Sequence, residues 1–314
     1  MTDKVFGPVP SRRLGRSLGI NNIPPKICSY GCVYCQLGRT IQMQVDRQPF
    51  YDVDDVLACV RDRVDAIASR GEKVDFLTLV PDGEPTLDVG LGALILGLKS
   101  LGIPVAVISN ASLLWDEAVR ADLMPADWVS VKVDTVDETL WHTINRPHGS
   151  LSHTRVLEGI QRFAEDFRGE LVTETMLVHD VNVDEPALSE LARFLVSLHP
   201  GTAYLSIPTR PPAEVWVQPP ARMFIDDAYL VFSSAGLTVR MLTGYEGSEF
   251  SSTGSAKTDL LSITAVHPLR EDALLALLEK TGEDWAVVQH LLDGQMLIEK
   301  TYGGHRFFLR RFER

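Results

Sequence analysis

The amino-acid sequence predicts an α/β protein: a mostly parallel sheet covered by helices, followed by a small helical module that ends in a hairpin. Three observations carry that prediction. Strand-like apolar runs alternate with amphipathic helical stripes along most of the chain. The strand runs are nearly continuous in apolar residues, as sheets covered on both faces require. Near residue 245 the alternation gives way to GYEGSEFSSTGSAKTD, rich in Gly and Ser, and a different order of elements follows.

The elements follow in order. A strand near RSLGIN opens the series. VDDVLACVRDRVDAIASRG sets Val53, Val56, Leu57, Val60, Val64 and Ile67 on one helical stripe and stops at Gly71. VDFLTLV is a short strand that ends at PDGEP. The helix LGALILGLKSLG leads to the strand IPVAVIS, and LWDEAVRADL leads to WVSVKV. SHTRVLEGIQRFAEDFRG precedes LVTETMLV, EPALSELARFLVSL precedes AYLSIP, and ARMFIDDAYLVFSSAG precedes LTVRML. About six β/α repeats result, joined by right-handed crossovers. A doubly wound sheet and a barrel share this periodicity. Both place ligands at the carboxyl ends of the strands, so the residues just after each strand are the candidates for chemistry.

The expected organisation is a core over residues 1–244, a linker over 245–258 and a winged-helix-like domain over 259–314. The last reading rests on two helices, PLREDALLALLEKTG and DWAVVQHLLDGQ, followed by a hairpin turned at Gly303-Gly304. No run of eighteen apolar residues occurs, and MTDKVFGPVPSRRLG has no apolar stretch of the secretory type. A soluble, cytoplasmic protein without membrane contact is expected. The net charge of −12 argues against sequence-blind capture of nucleic acid. Residues 1–48 nevertheless hold seven basic against two acidic residues.

Three of the four cysteines, Cys28, Cys32 and Cys35, fall within eight residues. An odd number of crowded thiols does not make a disulfide framework. Thiolates are soft ligands for zinc, copper(I) or iron–sulfur clusters, and structural zinc needs four protein ligands, whereas the first histidine is His142. Three thiolates match three corners of a cubane and leave one iron open. Gly31 suits a tight wrap around such a group. Cys59, on the first helix, reads as a buried small hydrophobe.

The segment Cys28-Ser-Tyr-Gly-Cys32-Val-Tyr-Cys35, with Tyr34 before the last cysteine, resembles the signature of the radical S-adenosylmethionine superfamily. The resemblance implies a partial (β/α)6 TIM-type barrel of the radical SAM type over roughly residues 5–245. It also implies a [4Fe–4S] cluster on the three cysteines and S-adenosyl-L-methionine on the open iron. The reduced cluster then cleaves the sulfonium to give a 5′-deoxyadenosyl radical. Pro81-Asp82-Gly83-Glu84-Pro85-Thr86 stands where the family has a Gly-Gly-Glu-type motif for the methionyl amino group, with Gly83 and Glu84 as its members and Asp82 in place of a glycine. Ser109 and Asn110, and then Lys132 and Asp134, stand at later strand ends, where the family contacts the methionyl and ribose parts. Glu174, Asn182 and Arg210 are further candidates on the substrate side. GPVPSRRLGRSLGIN and PDGEPTLD are similar to a subgroup often grouped with tRNA wyosine synthases, without the extra N-terminal cysteines of the archaeal enzymes.

The implied partner is a low-potential electron donor, flavodoxin or ferredoxin. The substrate is an RNA base, a peptide or protein, or a small molecule. The alternative is an iron–sulfur redox-sensing regulator with a winged-helix effector domain, which needs no cosubstrate groups at its strand ends.

Overall fold

The computed structural model describes residues 4–244, 250 and 252–311. The chain opens with an antiparallel hairpin, β1 (Val5–Ser11) and β2 (Gly15–Ile20). The short strands β3 (Ile27–Cys28) and β4 (Gln42–Met43) pair with each other and carry the first cysteine. The repeats then run through α1 (Val53–Ala68), β5 (Phe76–Leu79), α2 (Leu91–Lys99), β6 (Val105–Ser109), α3 (Glu117–Leu123) and β7 (Trp128–Lys132). They continue with α4 (Glu138–Ile144), α5 (His153–Asp166), β8 (Glu170–Met176), α6 (Glu185–Ser197), β9 (Thr202–Ser206), α7 (Arg222–Ser234) and β10 (Val239–Leu242).

One eight-stranded sheet results, in the order β1-β2-β5-β6-β7-β8-β9-β10, parallel from β2 onward. It is a curled half-barrel, so the partial barrel is the correct member of the two architectures that periodicity left open. The sequence pattern did not include β1, whose VFGPVPS run lacks a β period because Gly and two prolines interrupt it. Helix starts follow local chemistry: Asp52, Asp116, Asp137, Ser152 and Asp184 each accept a backbone N–H of the first turn. On α1 the buried stripe is Val56, Leu57, Val60 and Ile67. Cys59 lies between these positions and is exposed, not buried as expected.

The C-terminal elements are α8 (Ala256–Thr264), β11 (Leu269–Arg270), α9 (Glu271–Thr281), α10 (Trp285–Asp293), β12 (Leu297–Tyr302) and β13 (His305–Arg310). The strands form a sheet in the order β11-β13-β12, and Leu260, Leu274, Leu277, Val288, Leu291 and Phe308 share a second apolar cluster. Residues 245–249 and 251 of the expected linker lie outside the described residues. Its end is helical instead: Ser255 caps α8, and Ala256, Leu260 and Ile263 sit at helical spacing among polar residues that masked them. Among the described residues no helix is long and apolar enough to cross a membrane.

Candidate active site

The cysteine loop lies at the carboxyl ends of the parallel strands, and backbone pairing fixes its course. Gly31 N–H donates to the Asn145 and Arg146 carbonyls at 3.0 and 3.1 Å, and Val33 N–H donates to the Ile144 carbonyl at 2.9 Å. The end of α4 therefore forms one rim of the loop. On the opposite rim Glu84 N–H donates to the Ile27 carbonyl at 3.1 Å, and Lys26 N–H donates to the Asp82 carbonyl. Gly83 is required by this approach, because a Cβ there would stand 2.0 Å from the Ile27 carbonyl oxygen. A buried ion pair of 3.1 Å between Lys26 and Asp82 completes that rim. Burial lifts the Asp82 carboxyl to about 6 against the pull of Lys26.

Each cysteine has different surroundings: Cys28 a strand end, Cys32 the end of α4, and Cys35 a cavity. Beside Cys28, Asn110 Nδ2 donates to the sulfur at 3.5 Å and to Ser29 Oγ at 2.9 Å. Glu84 is buried there. Its Oε1 accepts from Thr86 N, Thr86 Oγ1 and Ser109 Oγ, and its Oε2 accepts from Asn110 N at 2.7 Å. A carboxylate offers about four lone-pair sites, two on each oxygen. Among the described residues Oε2 has that one hydrogen-bond donor, so one of its lone-pair sites has no protein donor.

Beside Cys32, Asn145 Nδ2 stands 3.6 Å from the sulfur, 2.7 Å from Asp134 Oδ2 and 3.3 Å from Tyr34 Oη. Tyr34 donates its hydroxyl to the same Asp134 oxygen, and Met176 N donates to Oδ1 at 2.8 Å. Asn182 braces this arrangement from behind. Its amide donates to the Asp134 and Met176 carbonyls, and its Oδ1 accepts from Val178 N. Asn182 is thus a buried structural tie rather than a side chain facing the cavity.

Cys35 opens on a cavity of about 360 Å³. Its walls come from three places: the β1–β2 hairpin (Arg12 and Arg13), the sheet interior (Lys132, Glu174 and Ser206), and Arg210 with Val266 and His267 of the C-terminal part. Lys132 Nζ lies 3.0 Å from Glu174 Oε1 and 4.9 Å from the Tyr34 ring centre. Arg13 pairs with the other Glu174 oxygen, and Ser206 Oγ donates to Oε1 at 3.0 Å. Burial opposes both charges of the pair. The two cations nevertheless hold Glu174 well below the usual carboxylate range, and Glu174 with Asp134 holds Lys132 above its ordinary value. Arg210 reaches Gln36 Oε1 at 2.6 Å and His267 Nε2 at 3.2 Å, joining the residue after the third cysteine to the C-terminal part.

The three thiols are all free. Burial raises each of them; Glu84 and Cys32 add to this at Cys28, Asp134 at Cys32 (to about 12), and Asp82 at Cys35. Thiols so placed become thiolates only with a bound cation to offset the charge, which is the condition that metal ligation supplies. Among the described residues no three Cys, His, Asp or Glu side chains gather tightly enough for one metal ion. Three thiols on three separate irons of a cluster carry no such requirement. The soft donor set and the pinned loop fit an iron–sulfur cubane.

Of the expected residues, Cys28, Cys32, Cys35, Tyr34, Glu84, Ser109, Asn110, Lys132 and Asp134 come together around the loop, and Glu174 and Arg210 line the cavity. Sequence reading did not single out Asn145, Arg13 or Thr86. The signal for Asn145 was its place between a helical run and Arg146-Pro147, a helix stop that reads as geometry rather than chemistry.

A half-barrel with three loop thiols and polar strand ends defines a cofactor-dependent α/β enzyme. Residues 22–192 match the Radical SAM superfamily. A UPF0026 protein of Methanocaldococcus jannaschii is 42% identical over 310 residues, which is 98% of this chain and 96% of that protein. The structure of a radical SAM methyltransferase from Sphaerobacter thermophilus superposes with a TM-score of 0.55 at 13% identity, covering 72% of this chain and 66% of that one. Streptococcus suis SuiB bound to S-adenosylmethionine superposes with a TM-score of 0.51 at 14% identity, covering 71% of this chain and 49% of that one. The chain belongs to the radical SAM superfamily and is an enzyme of that class.

Proposed function

We propose that Cys28, Cys32 and Cys35 hold a [4Fe–4S] cluster and that the enzyme cleaves S-adenosyl-L-methionine reductively, acting on a substrate admitted beside Cys35. The observation that carries this reading is the placement of three half-buried thiols on one pinned loop, with Cys28 beside Asn110 after β6, Cys32 beside Asn145 at the end of α4, and Cys35 on the cavity. When bound and reduced, the cluster supplies one electron to the sulfonium and so yields the 5′-deoxyadenosyl radical.

The chain's own groups have separable tasks. Glu84 Oε2, with one acceptor site remaining, receives the methionyl ammonium, while Ser109 and the Asn110 N–H aim the carboxylate and oppose the upward push that burial gives it. Lys132 has one of its three donors on Glu174, which leaves donors for the methionyl carboxylate. Asp134 is engaged on both oxygens, so it orients Tyr34 and Asn145 and meets the ribose only through a remaining lone pair. The cavity takes one base, one amino-acid side chain or one small molecule, so an RNA or protein substrate would insert a single unit. The electron comes from flavodoxin or ferredoxin.

Residues 259–314 are read as a winged-helix-like domain, supported by the order helix, strand, helix, helix, hairpin. It packs against the core or binds peptide or protein ahead of nucleic acid, because residues 256–314 carry eight basic and nine acidic residues.

The test is anaerobic reconstitution with iron and sulfide, reduction with dithionite, and measurement of 5′-deoxyadenosine formed from S-adenosylmethionine. About four irons per chain with that product is the expected result. A fully loaded wild-type chain that forms none overturns the proposal.

A further inference from the structure

We infer that Asn110 and Asn145 are redox-tuning donors: each side-chain amide gives a hydrogen bond to a cysteine sulfur and makes the cluster easier to reduce. The inference rests on the proposed cluster and assigns a task to two side-chain amides that the proposed function leaves without one, the Asn110 backbone N–H alone having been used there. The distances are 3.5 Å from Asn110 Nδ2 to Cys28 Sγ and 3.6 Å from Asn145 Nδ2 to Cys32 Sγ, within the range for a sulfur acceptor.

Which end of an amide points at the sulfur decides the sign, because a carbonyl oxygen there would repel the added electron. Partners of fixed polarity settle the orientation in both cases. Asn110 Oδ1 accepts the Ser112 backbone N–H at 2.9 Å, and a backbone N–H can only donate, so Nδ2 is the end that faces Cys28 and Ser29. Asn145 Nδ2 lies 2.7 Å from Asp134 Oδ2, which already accepts from Tyr34 and is buried. An oxygen in place of that nitrogen would set two acceptors against each other.

Neither amide is free to turn away. Asn110 follows β6 and is held by Ser29, whose hydroxyl in turn bonds Ser112 at 2.6 Å. Asn145 caps α4, is buried, and its carbonyl receives the Gly31 N–H of the cysteine loop. Two fixed N–H dipoles therefore point at two of the three ligand sulfurs. Reduction adds one negative charge shared over the cluster and its thiolates, and dipoles aimed at the sulfurs stabilise the reduced form more than the oxidised form. Cys35 differs: no side-chain amide donates to its sulfur among the bonds of the described residues, and the open side leaves room for the substrate.

The experiment is an EPR-monitored redox titration of the reconstituted full chain, without S-adenosylmethionine, for wild type, Asn110→Leu, Asn145→Leu and the control Tyr34→Phe. The control removes the Tyr34 hydroxyl from Asp134, from Asn145 Nδ2 and from beside Cys32 while keeping the amide. Each Leu variant with full iron content should be at least tenfold harder to reduce at equilibrium, which for one electron is about 59 mV toward more negative potential. Tyr34→Phe should move by less than half of that.

Leu variants that are fully loaded and titrate with the wild type overturn the inference. Where a Leu variant loses its iron, wild-type chain labelled with 15N at the asparagine side-chain amides decides. Weak nitrogen coupling to the reduced cluster in pulsed EPR supports the inference, and its absence overturns it. A wild-type chain that takes up no cluster overturns the proposed function and this inference together, whereas unmoved potentials overturn this inference alone.

Discussion

The two sides of the cysteine loop are built on different plans. Around Cys28 and Cys32 the polar side chains are closed on one another: Glu84 with Thr86, Ser109 and Asn110, and Asp134 with Tyr34, Asn145 and Met176. Around Cys35 the sulfur fronts a cavity whose walls come from the hairpin, the sheet and the C-terminal part. A ligating thiolate needs a fixed direction, and a dense network of satisfied donors and acceptors supplies one. A reacting molecule needs space and a boundary assembled from parts that can vary. One side therefore holds, and the other admits.

The largest expected effect treats the two sides alike. Cys28→Ala, Cys32→Ala and Cys35→Ala should each reduce iron to background and abolish 5′-deoxyadenosine, measured by iron analysis and product chromatography. A Cys35→Ala chain that kept four irons would remove the open side from the ligand set and break the comparison.

A glycine pair separates the sides more sharply. Gly83→Ala places a Cβ 2.0 Å from the Ile27 carbonyl oxygen, so the strand that carries Cys28 must move. A loss of about 3 kcal/mol or more is expected in denaturant unfolding, with reduced iron uptake. Gly38, just past Cys35, has a φ of +87° but nothing within 4 Å of a built Cβ. Gly38→Ala should cost only the left-handed backbone strain of roughly 1–2 kcal/mol and leave iron uptake unchanged. Equal losses for the two variants would contradict the distinction.

Glu174 tests the open side at its charged floor. Glu174→Gln leaves the half-buried Arg13 and Lys132 beside a neutral amide, and a loss of about 1–3 kcal/mol is expected. The pH dependence has a definite sign. A carboxylate held below its unfolded value contributes stability that is fully present above that value, here near 4.5, and that is lost as pH falls toward the folded one. Wild-type stability should fall in acid below about pH 4.5 more steeply than that of the variant. Parallel curves would show that the ion pair does not couple to folding.

The alternation of strands and helices, and the three-thiol spacing, were legible because each is a local pattern. α1 and α5 carry apolar stripes, and residues 28–35 bring the cysteines together without help from the fold. The strand-end residues were legible for a related reason: parallel strands deliver their last residues to one rim, so Glu84, Ser109 and Lys132 could be read from position. Asn145 and Arg13 were not legible. Asn145 reaches Cys32 from 113 positions away, and Arg13 reaches Glu174 from 161 positions away. Neither partner is visible until the sheet has curled. Cys59 failed for the opposite reason, since a helix stripe fixes a face only to within one position and the thiol falls just outside it.

The smallest expected effect concerns how the C-terminal part is attached beside the open side. Tyr302 is half-buried, and its hydroxyl donates to the Pro208 carbonyl at 3.3 Å, two residues before Arg210 of the cavity wall. A single neutral hydrogen bond contributes about 0.5–1.5 kcal/mol net, and its length here places it at the low end. Tyr302→Phe keeps the ring packing and removes only that bond. Unfolding followed by denaturant should shift by less than about 1 kcal/mol, with iron content unmoved. Faster hydrogen exchange is expected in residues 206–210 than in residues 28–34, because the bond closes the admitting side and not the holding side. Equal acceleration in both segments would mean that the C-terminal part braces the cysteine loop as a whole, and the two sides would then be one mechanical unit.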